Sequence, residues 1–222
     1  RTRDTRYDMC VPLLLLHTAS GFAVRAAAGR SAAAPLRAVA AQASEYQSLL
    51  GDAKAALIDA CTVADMGRIA EFRPSVLEAI EQIEPLNPTP KPLEAPDLLT
   101  GCWRLIYTTS DSILGTTRPR PFRPRYKRIL QSIDARQLAA KNEEWVLLGL
   151  LKNMVRARLT PRDDGRTVDV QFLRFGIGWL RIPAPAAAKG VLETTYLDDT
   201  LRVSRGDKGN LFVLVRDGPS RV

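Results

Sequence analysis

The sequence predicts a mainly β protein: an antiparallel β-barrel of about eight strands, preceded by two N-terminal α-helices. Three observations lead there. From Leu98 onward, short apolar and alternating runs recur with hairpin-type turns between them. No helical crossover separates those runs, which argues against a parallel α/β sheet. Upstream, two stretches carry apolar residues at helical spacing.

Residues 1–44 hold six Arg and two Asp and are otherwise rich in Ala and Ser. A basic, acid-poor composition of this kind is that of an organelle transit peptide, so the segment is expected to be a disordered leader. Its Leu13–Leu16 run is too short to span a bilayer. Residues 45–84 form the helical segment. One helix is expected from Ser44 to about Cys61, on Tyr46, Leu49, Leu50, Ala53, Leu57 and Ile58, with Ser44 as its cap. A second runs from Pro74 to about Ile83, with Val76, Leu77, Ile80 and Ile83 as its stripe. Residues 85–97 carry repeated prolines and read as a stiff, extended linker.

The barrel is expected over 98–216, with a short tail at 217–222. Trp103, Leu105 and Tyr107 share one parity in its first strand, with Arg104 on the other face. Strands follow at 126–133, 153–160, 167–175, 179–182, 191–197, 201–205 and 211–215. Trp145–Leu151 is apolar nearly throughout and leaves helix and strand open. Asp163-Asp164-Gly165 and Asp198-Asp199 read as turn formers.

Apolar residues make up 45% of the 222, enough to fill a core. The net charge of +8 suits an anionic membrane surface as readily as a polynucleotide. Nucleic-acid binding would want interleaved aromatics, and Phe122 and Tyr126 in the basic 118–128 run are separated by prolines, so no nucleic-acid partner is expected. His17 is the only histidine and lies in the leader, which excludes a His-based catalytic device or metal centre from the body. Cys10, Cys61 and Cys102 have no metal or disulfide spacing. No cofactor motif is present.

Gly101-Cys-Trp103 at the head of the first strand resembles the opening of lipocalin-like barrels, in which an Arg of the last strands stacks on the Trp. Arg205 is the first candidate for that Arg and Arg202 the second, so barrel closure is assigned to Gly101, Trp103, Arg205 and Arg202. The Trp103 parity points Trp103, Leu105, Tyr107, Val168, Val170, Phe172, Leu192, Tyr196, Leu201 and Val203 inward, as the lining of a lipid site or of a filled core. Arg118, Arg120, Arg123, Arg125 and Trp145 are the candidate membrane contacts.

Gly190–Leu214 closely resembles the C-terminal signature of the plastid lipid-associated proteins, or plastid fibrillins. Leu98–Ser110 resembles their opening strand, and Leu86-Asn-Pro88 precedes it as theirs does. The resemblance implies a lipocalin-like barrel in plastids, at plastoglobules or thylakoids, reached through the N-terminal leader. It also implies non-catalytic binding or sequestration of lipids or isoprenoids (carotenoid, prenylquinone or fatty acyl) and stress protection. A scaffold for a prenylquinone-synthesis enzyme is the rival within the family, and a small lipid-modifying enzyme the rival outside it.

Overall fold

The computed structural model describes residues 33–124 and 129–222. Most of the expected leader, with Arg125 and Tyr126, lies outside the described residues. The chain divides after Gln42, and the unit Ala43–Val222 holds every strand.

Helix α1 spans Ala33–Val63 and α2 spans Arg73–Ile83. The first begins well before Ser44, because the Ala-rich 33–43 stretch propagates a helix better than a Ser can stop it. The strands are β1 Gly101–Thr108, β2 Ile129–Asp134, β3 Ala139–Val146, β4 Leu151–Pro161, β5 Thr167–Ile177, β6 Leu180–Pro183, β7 Lys189–Leu197, β8 Leu201–Gly206 and β9 Leu211–Gly218. Their order is β4-β3-β2-β1-β9-β8-β7-β5, and a further β4–β5 pairing closes the ring. Eight antiparallel strands therefore make a barrel, and closure leaves those strands without free edges. β6 pairs only with β5, along Arg174–Ile177. The last β5–β7 pair is Gln171 with Lys189, so the far ends of β4 and β5 run on with β6 past the ring.

Two cores result. The inner one holds Trp103, Leu105, Ile129, Ile133, Leu159, Val168, Leu197 and Leu214. The outer one presses Leu57, Val76, Ile80 and Ile83 of the helices against Tyr107, Tyr196, Leu201, Val203 and Val213 of the barrel wall. Strands β1, β8 and β9 are thus buried on both faces.

Four inward assignments are thereby corrected. In β1 the register with β9 shifts between Leu105 and Tyr107, a bulge that places one extra residue in β1. In β7 the register shifts again, between Thr194 and Tyr196. Each extra residue inverts the parity beyond it. Tyr107 and Tyr196 consequently face the helices, and Leu201 and Val203 go with Tyr196, while Arg202 and Ser204 turn inward.

The Pro-rich segment is a docked strap and not an extended connector. It forms short turns at Glu84–Leu86 and Pro92–Glu94 and a one-turn helix α3 at Pro96–Leu99. Asn87 fixes it to the β7 bulge: its Nδ2 donates to Thr195 O at 2.9 Å, and its Oδ1 accepts from Leu197 N at 3.1 Å. Those are backbone groups that the disrupted ladder leaves over. Leu93 N then bonds Gly165 O at 2.9 Å, carrying the strap to the β4–β5 turn.

Asp198 ties α1 to the β7–β8 turn. Its carboxylate accepts from Lys54 Nζ at 2.7 Å, Tyr196 OH at 2.5 Å, Thr200 N at 2.8 Å and Leu201 N at 2.7 Å. Burial alone would raise its pKa, but the bonds from Lys54, Tyr196, Thr200 and Leu201 outweigh it and bring it down to about 2. Burial and the bond to Asp198 push the Tyr196 hydroxyl up.

Two outcomes are expected. Asn87→Ala strands Thr195 O and Leu197 N, and urea unfolding should show a loss of about 1–3 kcal/mol. A carboxylate whose folded pKa is depressed stabilises above its ordinary pKa, and that contribution fades as pH falls through the folded value. Asp198→Asn should therefore cost about 2 kcal/mol at neutral pH, and the gap to the parent should close between about pH 4 and pH 2 in a pH series of unfolding curves. A gap that stays constant over that window removes Asp198 from the account.

Candidate functional site

One end of the barrel is built around the Trp103 indole, which is fully buried. Its Nε1 donates to Leu99 O at 3.0 Å. The Arg216 guanidinium lies 4.3 Å from the ring centroid and that of Arg202 lies 5.0 Å away. Both distances are those of a cation–π contact. Arg216 stands directly opposite Trp103 in the β1–β9 ladder. Its donors go to the Asp199, Thr100 and Leu98 carbonyls. A Cβ at Gly101 would sit 2.4 Å from Arg216 Nη1, so the glycine of the Gly-x-Trp triplet is the space that the guanidinium occupies. Arg205 lies on the outer face instead and pairs with Glu84 through Nε at 3.0 Å and Nη2 at 2.8 Å. The closing cations are Arg202 and Arg216. Sequence reading missed the second, which a pairing of first strand against last would have found.

Arg202 donates Nη2 to Gln131 Oε1, and Gln131 Nε2 donates to Asn142 Oδ1 at 3.1 Å. Burial, then the like charge of Arg216, pulls the Arg202 pKa down to about 9, which still leaves it a cation at neutral pH. Beside it the interior keeps a cavity of about 40 Å³. Val168, Val170, Phe172 and Leu192 line it, together with Thr194, Arg202 and the two amides. That is room for two or three waters. An isoprenoid chain does not fit there as the side chains stand.

The other end is apolar outside. In the turn from β5 to β6, Trp179 is 91% exposed, and Ile177, Leu180 and Ile182 are exposed around it. The β3–β4 connection adds Leu148 at 67% and Leu150 at 84%. The two loops meet: Gly178 N donates to Lys152 O at 2.9 Å. Leu147 and Leu148 hold φ of 51° and 57°, a left-handed conformation that L residues with a Cβ adopt at a cost of about 1–2 kcal/mol each. The turn Arg120–Phe122, with Phe122 exposed, lies against Leu147–Gly149. Every charge along these loops is positive. Residues 145–159 hold Lys152, Arg156 and Arg158, and residues 170–192 hold Arg174, Arg181 and Lys189, with no acid in either stretch.

The expected membrane residues are divided. Arg118 donates Nη1 to Glu144 Oε1 at 2.9 Å, and Arg123 donates to Arg118 O and Thr116 O at 3.0 Å each, so these two stitch their own loop. Arg120 is exposed, and Arg125 lies outside the described residues. Trp145 is half-buried in β3 beneath Lys152 Nζ, 5.4 Å from the ring. Trp179 reads from sequence only as a strand residue, whereas the Trp145–Leu151 run, which holds Leu148 and Leu150, reads either as core or as a segment dipping into a membrane interface.

The sequence model of the PAP_fibrillin family matches residues 51–182 and 178–215, more than half of the chain. The chain belongs to the PAP/fibrillin family. The probable plastid-lipid-associated protein 5, chloroplastic, of Arabidopsis thaliana is 35% identical over 72% of this chain and 67% of its own length. The chromoplast-specific carotenoid-associated protein of Cucumis sativus is 30% identical over 75% and 68%. Plastoglobulin-1, chloroplastic, of Pisum sativum is 28% identical over 75% and 61%. Against two further relatives the chain spans only 54% and 56% of their length. No solved structure matches it. These relatives are chloroplastic or chromoplastic proteins, and the plastid is the compartment of this PAP/fibrillin chain too. Their names describe lipid association and no enzyme.

Gly101→Ala should displace Arg216 and cost about 1–3 kcal/mol in chemical unfolding. In a double-mutant cycle with Arg216→Ala, the two losses should fall short of additivity by about 0.5 kcal/mol or more. Additive losses would mean that the glycine serves something other than the guanidinium.

Proposed function

We propose that this PAP/fibrillin chain is a non-catalytic protein of plastid lipid surfaces, plastoglobule or thylakoid, which it holds by the apolar end of its barrel. The observation that carries the reading is the cluster of Leu148, Leu150, Trp179 and Leu180, exposed on two touching loops that carry no acid of their own, although Glu143 and Glu144 at the end of β3 pair with Lys152 and Arg118. Exposed apolar patches of this kind mark interaction sites. Trp and Leu suit the boundary between headgroups and acyl chains, and basic neighbours add about 1 kcal/mol each near anionic lipid. The names of relatives that are plastid-lipid-associated, carotenoid-associated and plastoglobulin proteins support the same reading.

Coating a lipid body is also the form of sequestration that suits the interior. A cavity of about 40 Å³ gives a carotenoid or prenylquinone no room inside the ring, whereas a surface coat leaves such cargo in the lipid phase. Storage and stress protection would then follow from covering the store.

Co-sedimentation with phosphatidylglycerol-containing vesicles is the test. The parent should bind more strongly than to pure phosphatidylcholine, and more weakly as salt rises. Trp179→Ala combined with Leu150→Ala should weaken binding by about tenfold or more, as the loss of two inserted side chains implies. Unchanged binding by that variant, with an unchanged unfolding curve, would end the assignment to this rim.

A further inference from the structure

The outer wall of the barrel, below the apolar rim, carries a row of cations. Ala157 lines the interior, so its neighbours in β4, Arg156 and Arg158, point outward, and both are exposed. In the ladder Arg156 stands directly opposite Lys141 of β3 on one side and Arg174 of β5, also exposed, on the other. Directly opposed side chains in a sheet lie about 5 Å apart, where like charges are destabilising. The acids nearby are already engaged: Glu143 with Lys141 and Lys152, and Asp169 with Arg162. Arg156, Arg158 and Arg174 have no ion pair among the described residues.

The same two strands lead to the rim. Leu150 lies six residues before Arg156, and Trp179 five after Arg174. At about 3.3 Å per residue and a strand tilt of about 40°, the row is on the order of 12 Å down the wall from the rim. Arg lays its apolar stem along a surface and carries its charge towards water and headgroups, so the row reaches the headgroup layer when the rim rests on the acyl boundary. A phosphodiester headgroup brings one charge to that row and two free oxygens. A phosphomonoester brings about −1.5 to −2 at neutral pH and three free oxygens, which can take a planar fork from each of two guanidinium groups. We propose that Arg156 and Arg174 together bind the phosphomonoester headgroup of a phosphatidate-type lipid, with Arg158 and Lys141 beside them. The inference rests on the lipid-surface reading and deepens it by naming the headgroup class.

The full chain is co-sedimented with phosphatidylcholine vesicles that contain either phosphatidate or phosphatidylglycerol, at contents matched to one zeta potential. At pH 7.5, phosphatidate vesicles should be bound about tenfold or more tightly, as added charge-assisted hydrogen bonds imply. With the potentials matched again at pH 5, the preference should shrink below about threefold, because the monoester, whose second pKa is about 6, then keeps a single charge. Arg156→Gln combined with Arg174→Gln alters two exposed side chains, should leave the unfolding curve in place and should bring the two lipids to equal binding. Glycerol 3-phosphate, which offers the same headgroup without chains, should not displace the protein from phosphatidate vesicles at equal concentration. Equal binding of the two lipids by the parent, or a preference kept by the double variant, would overturn the headgroup site and leave the lipid-surface reading intact. Displacement by glycerol 3-phosphate at equal concentration would overturn the lipid as the source of the phosphate. A parent that binds neither vesicle would overturn the lipid-surface reading and this inference with it.

Discussion

The structure depends on a tryptophan ring that two guanidinium groups contact. Strands β1, β8 and β9 form the seam at which the first strand meets the last, and a barrel without that seam is an open sheet with two bare edges. Trp103 comes from β1, Arg202 from β8 and Arg216 from β9. Two arginines repel, and the cost grows with burial. The indole offers both an electron-rich surface, with their guanidinium carbons 5.0 and 4.3 Å from its centroid, and so offsets that repulsion. Arg216 also neutralises its polarity on three carbonyls, at Leu98, Thr100 and Asp199, so it binds the approach to β1 and the β7–β8 turn to the same point. Arg202 reaches the other way, to Gln131 on β2. One aromatic side chain thus organises four strands and the strap before β1. Gly101 is the precondition, because any side chain there would take the place of Arg216.

Much of this was legible in the sequence, and its limits are physical. Alternation and turn residues gave the antiparallel class and most strand positions, because each of those is a local property, but they missed β3 at Ala139–Val146 and counted 179–182, which lies outside the ring. Facing was legible only as far as the first bulge. Trp103 and Leu105 point inward as their parity requires, but the extra residue before Tyr107 reverses everything beyond it. The same device at Thr194–Tyr196 reversed Leu201 and Val203, and with them the choice between Arg205 and Arg202. A bulge leaves no mark in hydropathy, since both faces of these strands are buried, one by the barrel and one by α1 and α2. The trace of the second bulge lies 108 residues away in sequence, in the Asn87 side chain that bonds its backbone. Long-range satisfaction of that kind is not readable from a single chain.

The rim shows the converse. Trp179 and Leu150 carry no pattern that separates a core residue from an exposed one, and only the ring's closure at Gln171–Lys189 shows that β4, β5 and β6 run on past it. Their charge was legible, as stretches with Arg and Lys and no acid, but the nearby 118–128 run stands out more because its basic residues are denser. In the fold, Arg118 and Arg123 turn back to Glu144 and to carbonyls of their own loop. Density of charge in sequence is therefore a poor guide to charge available at a surface, since Arg in a Pro-broken loop satisfies backbone groups that no regular structure can.

The magnitudes fix the kind of attachment such a rim gives. Trp179, Leu148 and Leu150 each gain about 1.5–3 kcal/mol on full burial, and a few basic residues add about 1 kcal/mol apiece near anionic headgroups. Against that stand about 4–15 kcal/mol of lost rigid-body freedom. The balance is reversible, salt-sensitive adsorption. In the proposed attachment Leu148, 67% exposed on a left-handed stretch of backbone, belongs to the surface that meets lipid. On the proposed role, a surface coat has to be able to leave as its lipid store shrinks, and weak adsorption would permit it. The ring meets the opposite requirement. On the proposed reading it must stay closed when its apolar end meets lipid, and the Trp103 seam lies towards the opposite strand ends from Trp179.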